Sequence, residues 1–202
     1  ALFLPGPDLP GFRLADGRVD RSNHLAGGAI SASLPLSAEV YSIDFWFWNG
    51  LDSTRHFADV LFERGREGTP GDAVGLTGQA TGNHPHRIMF THGNPAYSAD
   101  GPTIGKADAL PRVWHHLALV RQGRRVRIYL DGELDLEADA DSVPAPRGAL
   151  ATFTLGDRAD HENSLEGKLD EVAVYDRALS ASEVAEHARA GTAPIAHADS
   201  DR

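Results

Sequence analysis

Residues 114–132 read WHHLALVRQGRRVRIYLDG, and their spacing decides the fold class. Val126, Ile128 and Leu130 recur at every second position, the period of a half-buried strand and not of a helix. Two tight turns interrupt the run, one at Gln122-Gly123 and one at Asp131-Gly132. An Asp-Gly pair suits a type I′ hairpin turn, which needs positive φ at both central residues, and glycine adopts that without steric cost. The stretch therefore predicts a meander of antiparallel strands, and a meander of this kind belongs to an all-β protein.

The same residues resemble the central signature of the laminin-G-like, concanavalin A-like jelly rolls: a tryptophan, a histidine pair, an apolar strand, then Tyr129-Leu130-Asp131-Gly132. Residues 153–191, with Leu155-Gly156 and the run from Leu165 to Ser180, resemble that family's closing strand and short C-terminal helix. Ser42 to Trp48 is similar to its early aromatic strand. The resemblance implies a two-sheet antiparallel jelly-roll sandwich over about residues 20–191 of a single domain spanning 1–202. An irregular lead-in would occupy 1–19 and a polar tail 192–202.

Length and charge agree with that expectation. A chain of 202 residues can bury a full core between two sheets. A formal charge of −10 argues against nucleic acid and anionic membrane surfaces, which require basic patches. With no cysteine there is neither a disulfide framework nor a thiolate metal site. No apolar run approaches the roughly 20 residues that cross a bilayer. The N-terminal ALFLPGPDLPGF is too short and too broken by proline for a signal peptide, so a mature or excised chain is expected.

Outward from the meander, Gly28 to Leu36 and Tyr41 to Trp48 alternate and are expected to pair across a short connection. Val60 to Arg64 starts another strand, Gly65 to Gly71 forms a loop, and Ala73 to Leu76 and Arg87 to Thr91 flank a turn region. His92 to Pro111 reads as a long irregular connection, and Pro144 to Gly148 as a break before the last strands. One helix is expected after Ser180, whose hydroxyl and Glu183 make a capping box, with Gly191 as its stop.

Three constellations are candidates for function. The first is acidic: Asp157, Asp160, Glu162, Asn163 and Glu166, leading to Asp170. Calcium takes six to eight oxygen ligands at relaxed geometry, which such a loop could supply; a solvated loop has the same composition. Period-2 spacing puts Asp170 on the face of Val172 and Val174, as a hydrogen-bonded core carboxylate or a metal ligand. The second, Glu133-Leu134-Asp135-Leu136-Glu137, resembles the ExDxE strand of laminarinase- and lichenase-type glucanases, in which three carboxylates share one face. A plain outward-facing strand, with Leu134 and Leu136 inward and the carboxylates in water, gives the same pattern, and that reading is adopted.

The third constellation is the polar and aromatic loop set His84, His86, His92, Asn94, Tyr97 and Asp100. Aromatic faces and planar polar groups are what a sugar-binding rim uses, and His84, His92, Asn94 and Tyr97 are its core candidates. Alternation sends His115 and His116 to opposite faces, which disfavours them as ligands. Trp46 and Trp48 share a face, expected to pack against the other sheet. The resemblance implies a non-catalytic module of a secreted or surface-attached bacterial-type protein. It would bind carbohydrate or another extracellular polymer, with calcium, as part of a larger chain. The alternative is an adhesion or assembly domain whose partner is protein, met by the Gly65 to Gly71 and His92 to Pro111 loops.

Overall fold

Alternation along the strands sorts the side chains into an inner and an outer set, and the inner set builds the core. The computed structural model describes residues 2–35, 39–50, 59–66, 69–78, 84–93, 101–141, 150–157 and 164–193. One sheet has seven strands in the order β1 (Leu2–Pro5), β2 (Arg21–Ala26), β13 (Glu166–Tyr175), β4 (Val40–Asn49), β9 (Trp114–Gln122), β10 (Arg125–Leu130) and β11 (Glu133–Asp139). The other has six: β3 (Ile30–Leu34), β12 (Ala151–Leu155), β5 (Asp59–Arg66), β6 (Thr69–Leu76), β7 (Arg87–His92) and β8 (Thr103–Asp108). Neighbouring strands run antiparallel. This is the expected all-β, two-sheet jelly-roll sandwich.

Tyr41, Ile43, Phe45 and Phe47 of β4 and Leu117 and Leu119 of β9 face Val74, Leu76, Ile88, Phe90 and Phe153 of the opposite sheet in one apolar cluster. A smaller cluster lies on the outer face of the seven-stranded sheet. There Ala118, Val120 and Tyr129 receive Leu179, which just precedes the helix α1 (Ala181–Thr192), and Val184 from its first turn. Ser42, buried on that outer face, fixes the approach to the helix by donating to the Arg177 carbonyl at 2.8 Å and accepting from the Leu179 amide at 3.0 Å.

The meander holds, with one shift of register. Gln122 pairs with Arg125, so the first turn is Gly123-Arg124, one residue later than expected. Positive φ at Gly123 alone (63°) is the pattern of a type II′ turn. Asp131 and Gly132 both take positive φ, 52° and 88°, as a type I′ turn requires. The capping box is also as read: Ser180 Oγ accepts from the Glu183 amide at 3.2 Å, and the Ser180 amide donates to Glu183 Oε2 at 2.8 Å. Gly191 does not stop the helix, however. It lies inside α1, whose C-cap is Ala193, because its bare Cα lets the helix settle against Trp46 and Phe12.

Other expectations are corrected by the topology. β3 and β4 do not pair; they belong to different sheets, since the chain crosses between layers where a hairpin was expected. The stretch read as a loop at 65–71 belongs, in its described residues, to β5 and β6. Residues 92–111 contain β8, whose Thr-Ile-Gly-Lys-Ala-Asp has too little apolar alternation to announce itself. The lead-in contributes β1 and a 3₁₀ turn (Pro10–Phe12) with Phe12 buried. No helix among the described residues is long and apolar enough to cross a membrane.

Candidate functional site

The strand that supplies the core also supplies a polar row behind it. With Tyr41, Ile43, Phe45 and Phe47 turned inward, Ser42, Asp44, Trp46 and Trp48 must face outward. The two tryptophans therefore do not pack against the other sheet as expected, because Phe45 and Phe47 hold those places. Trp46 is instead covered from outside by Phe12, whose ring meets it edge-on at 5.3 Å, and by Gly191. A Cβ on Gly191 would stand 2.4 Å from Trp46 Cζ2, so the helix approaches this closely only with glycine there. Trp48 pairs in register with Trp114, and Lys168 Nζ lies 5.0 Å from the Trp48 ring and 5.9 Å from the Trp114 ring.

Between α1, the 3₁₀ turn and the sheet lies a pocket of about 320 Å³ with Asp44, Trp46, His116, Glu171, Tyr175 and His187 in its wall. Register brings them together: Trp46 pairs with His116 on β9, while Asp44 pairs with Ala173 and Ser42 with Tyr175 on β13. Between Asp170 and Ala173 the pairing shifts by one residue. Glu171 sits in this bulge with φ of 48°, a left-handed conformation uncommon for a side chain of its kind.

Asp44, nearly buried, is the hub. His187 Nδ1 donates to its Oδ2 at 2.5 Å, and His116 Nε2 stands 3.8 Å from the same oxygen. Tyr175 stacks on the His187 ring with centroids 5.9 Å apart. Partial burial and the Asp44 charge push the Tyr175 phenol above its ordinary value, so it stays protonated. Burial lowers the His116 imidazole, against the opposing charges of Asp44 and Asp131. The arrangement offers an aromatic floor, carboxylates and oriented imidazoles inside one concave wall.

The residues singled out by sequence lie elsewhere. His84 is exposed beside Thr77, whose hydroxyl donates to its carbonyl, while His92 pairs through Nδ1 with Asp72 Oδ1 at 2.7 Å. They flank opposite ends of β7 and cannot share one rim. Asn94, Tyr97 and Asp100 lie outside the described residues, as do Asp160, Glu162 and Asn163. Asp157 is wholly buried just past β12, in the six-stranded sheet. Asp170 pairs with Trp46 and so faces outward from the other sheet, the bulge at Glu171 having separated it from the inward Val174. Asp157 and Asp170 therefore do not form one ligand shell, and among the described residues no group of three His, Asp or Glu converges to hold a metal.

The ExDxE pattern is likewise split by geometry. A register shift between Ile128 and Tyr129 breaks the alternation of β11. Leu134, expected inward, is 46% exposed, and Asp135, expected in water, is 5% exposed. Asp135 Oδ1 accepts from the amides of Lys106 and Ala107 at 2.8 and 2.7 Å, so this carboxylate fastens β8. Glu137 is exposed and pairs with Arg127 at 3.1 Å.

The histidine pair and the Asp-Gly turn prove to be one structural unit. Asp131 Oδ2 accepts from His115 Nδ1 at 2.8 Å, and its Oδ1 from the His116 amide at 2.8 Å. His115 points inward onto Phe47 and His116 outward onto Trp46, as alternation required. Sequence reasoning missed Asp44, Glu171, Tyr175 and His187. Two signals were available: a lone carboxylate within the aromatic strand Ile43 to Trp48, and a histidine three residues after Val184 on the sheet-facing stripe of the helix.

The family model for the concanavalin A-like lectin/glucanases superfamily matches residues 24–185. No curated protein sequence matches the chain. Among solved structures, domain 4 of AbnA, a GH43 extracellular arabinanase from Geobacillus stearothermophilus in complex with arabinotriose, superposes with a TM-score of 0.59 at 24% identity, covering 86% of this chain and 79% of that one. Trypanosoma rangeli sialidase gives a TM-score of 0.62 at 14% identity over 85% of this chain, which spans only 28% of the sialidase. A SAP-like pentraxin from Limulus polyphemus gives 0.58 at 14% identity, covering 79% of this chain and 75% of that one. At these identities the structural likenesses establish the shared fold. With the family model matching most of its length, the chain belongs to the concanavalin A-like lectin/glucanase superfamily.

Proposed function

We propose that this chain is a non-catalytic carbohydrate-binding domain that takes its sugar in the outer-face pocket between β4, β9, β13 and α1. The observation that carries the reading is the convergence of Asp44, His116, Tyr175 and His187 above the Trp46 floor in a cavity of about 320 Å³. A sugar presents hydroxyls around an apolar C–H face, and this wall answers both with planar polar groups and an aromatic ring. The similarity to an arabinanase domain in complex with arabinotriose supports the same class of ligand. Binding without cleavage is supported by the ExDxE carboxylates, which are divided between a buried strand fastener and exposed rim positions.

Calorimetric titration with neutral oligosaccharides, arabinotriose among them, tests the reading. Binding should weaken about tenfold, equivalent to about 1.4 kcal/mol, in both Tyr175→Ala and His187→Gln, with the fold intact by circular dichroism. No reducing ends should be released. Unchanged affinity in both variants removes this pocket from the account, and sugar release by the wild type removes the non-catalytic reading.

A further inference from the structure

The polar atoms of the pocket share one chemical character. Asp44 and Glu171 bring carboxylate oxygens, which only accept hydrogen bonds when ionised. His116 is 2% exposed, and its burial keeps the ring neutral, with a single proton to place. The proton on His187 Nδ1 is already committed to Asp44. No lysine or arginine is among the described residues of the wall.

Glu171 sets the requirement on the ligand. The bulge holds it in a left-handed backbone conformation at the pocket wall, where an exposed carboxylate meets whatever enters. A carboxylate-bearing sugar would face two like charges without a compensating cation.

We infer that the pocket selects neutral, hydroxyl-rich sugars and rejects uronate-type sugars, with Glu171 supplying the repulsion. This rests on the carbohydrate-binding reading above and adds the class of sugar. Rejection by an unpaired like charge is a stronger discriminator than any single added contact.

The test is calorimetric titration against two panels of equal chain length. One is neutral (arabino-, xylo-, gluco- and galacto-oligosaccharides) and the other uronate-containing (oligogalacturonates and oligoglucuronates). At least one neutral sugar should bind ten times more tightly than any uronate. In Glu171→Lys, whose side chain is exposed and whose replacement leaves the core intact, the gap should close to less than threefold through a gain in uronate affinity. A uronate that binds wild type as well as the best neutral sugar overturns the selectivity while leaving the carbohydrate reading standing. An unaltered gap in Glu171→Lys overturns the role assigned to Glu171. If neither panel binds, the carbohydrate reading itself falls, and the selectivity with it.

Discussion

Arg121 of β9 and Asp72 of β6 form an ion pair enclosed between the two sheets, with residue exposures of 1% and 0%. It is the polar centre of one end of the sandwich. Tyr41 donates to Asp72 Oδ2 at 2.6 Å, and Arg121 also donates to the carbonyls of Gly123, Ala140 and Asp141. Nearly every hydrogen-bonding direction of the guanidinium is thereby used, which makes so deep a charge tolerable.

Removing one member leaves the other charged and buried. Arg121→Met should cost about 3–5 kcal/mol in urea unfolding, and Arg121→Met with Asp72→Leu should recover much of that loss. Burial by itself would raise the Asp72 carboxyl. The His92 hydrogen bond, the Arg121 charge and the Tyr41 hydroxyl outweigh it and hold the group below its ordinary value. The stability this contributes is present above the unfolded pKa of about 3.9 and is lost as pH falls through the lower folded value. The acid limb of a stability-against-pH profile should flatten in Asp72→Asn.

Asp170 behaves in the opposite sense. Burial, opposed by the Glu171 amide and reinforced by the Glu171 and Asp20 charges, raises its pKa to about 6. Its Oδ2 is buried without a hydrogen-bond partner, and a Cβ on Gly6 would come within 2.6 Å of it. The folded state favours the protonated acid, so this contribution is full below the unfolded value and is lost as pH rises through about 6. Asp170→Asn should therefore raise the melting temperature at pH 8 by a few degrees, on the order of 1 kcal/mol once solvent screening is allowed for. The gain should vanish by pH 4, and an equal gain at both values would refute the linkage.

Asp131 joins a turn to a neighbouring strand through two acceptors and a positive φ. Asp131→Ala loses both hydrogen bonds and places alanine in a left-handed conformation, for a cost of about 1–3 kcal/mol by denaturant unfolding. Asp131→Asn keeps an acceptor and tolerates the conformation, so it should cost roughly half as much. If the two variants are equally destabilised, the turn conformation is not what selects the residue.

Residues whose role is set by local alternation were legible in the sequence. The meander, the Asp131-Gly132 turn, the opposite facing of His115 and His116, and the Ser180 capping box all follow from spacing within a few residues. The errors came where one residue resets the phase. The bulge at Glu171 turned Asp170 outward, and the shift opposite Tyr129 exchanged the environments of Leu134 and Asp135. A bulge depends on pairing with a distant strand, so no local period announces it. The pocket was hidden for a related reason: Asp44, His116, Tyr175 and His187 come from four elements, brought together by strand register and by the seat of the helix.

That seat depends on Gly191, and the substitution that usually helps a helix should harm this one. In an exposed helix interior Gly→Ala gains about 1 kcal/mol, because alanine loses less conformational freedom on folding. At position 191 the added methyl would meet Trp46 Cζ2 at 2.4 Å and Phe12 Cε2 at 2.9 Å, against rings held by the sheet and the 3₁₀ turn. Overpacking of this kind costs about 1–3 kcal/mol, so the local gain is outweighed and the last turn of α1 must lift. Gly191→Ala should lower the melting temperature and shift tryptophan emission to the red as water reaches Trp46. It should also weaken sugar binding, since His187 sits one helical turn before the displaced residue. A stabilised Gly191→Ala protein with unchanged emission would mean that the helix does not bear on Trp46 in solution.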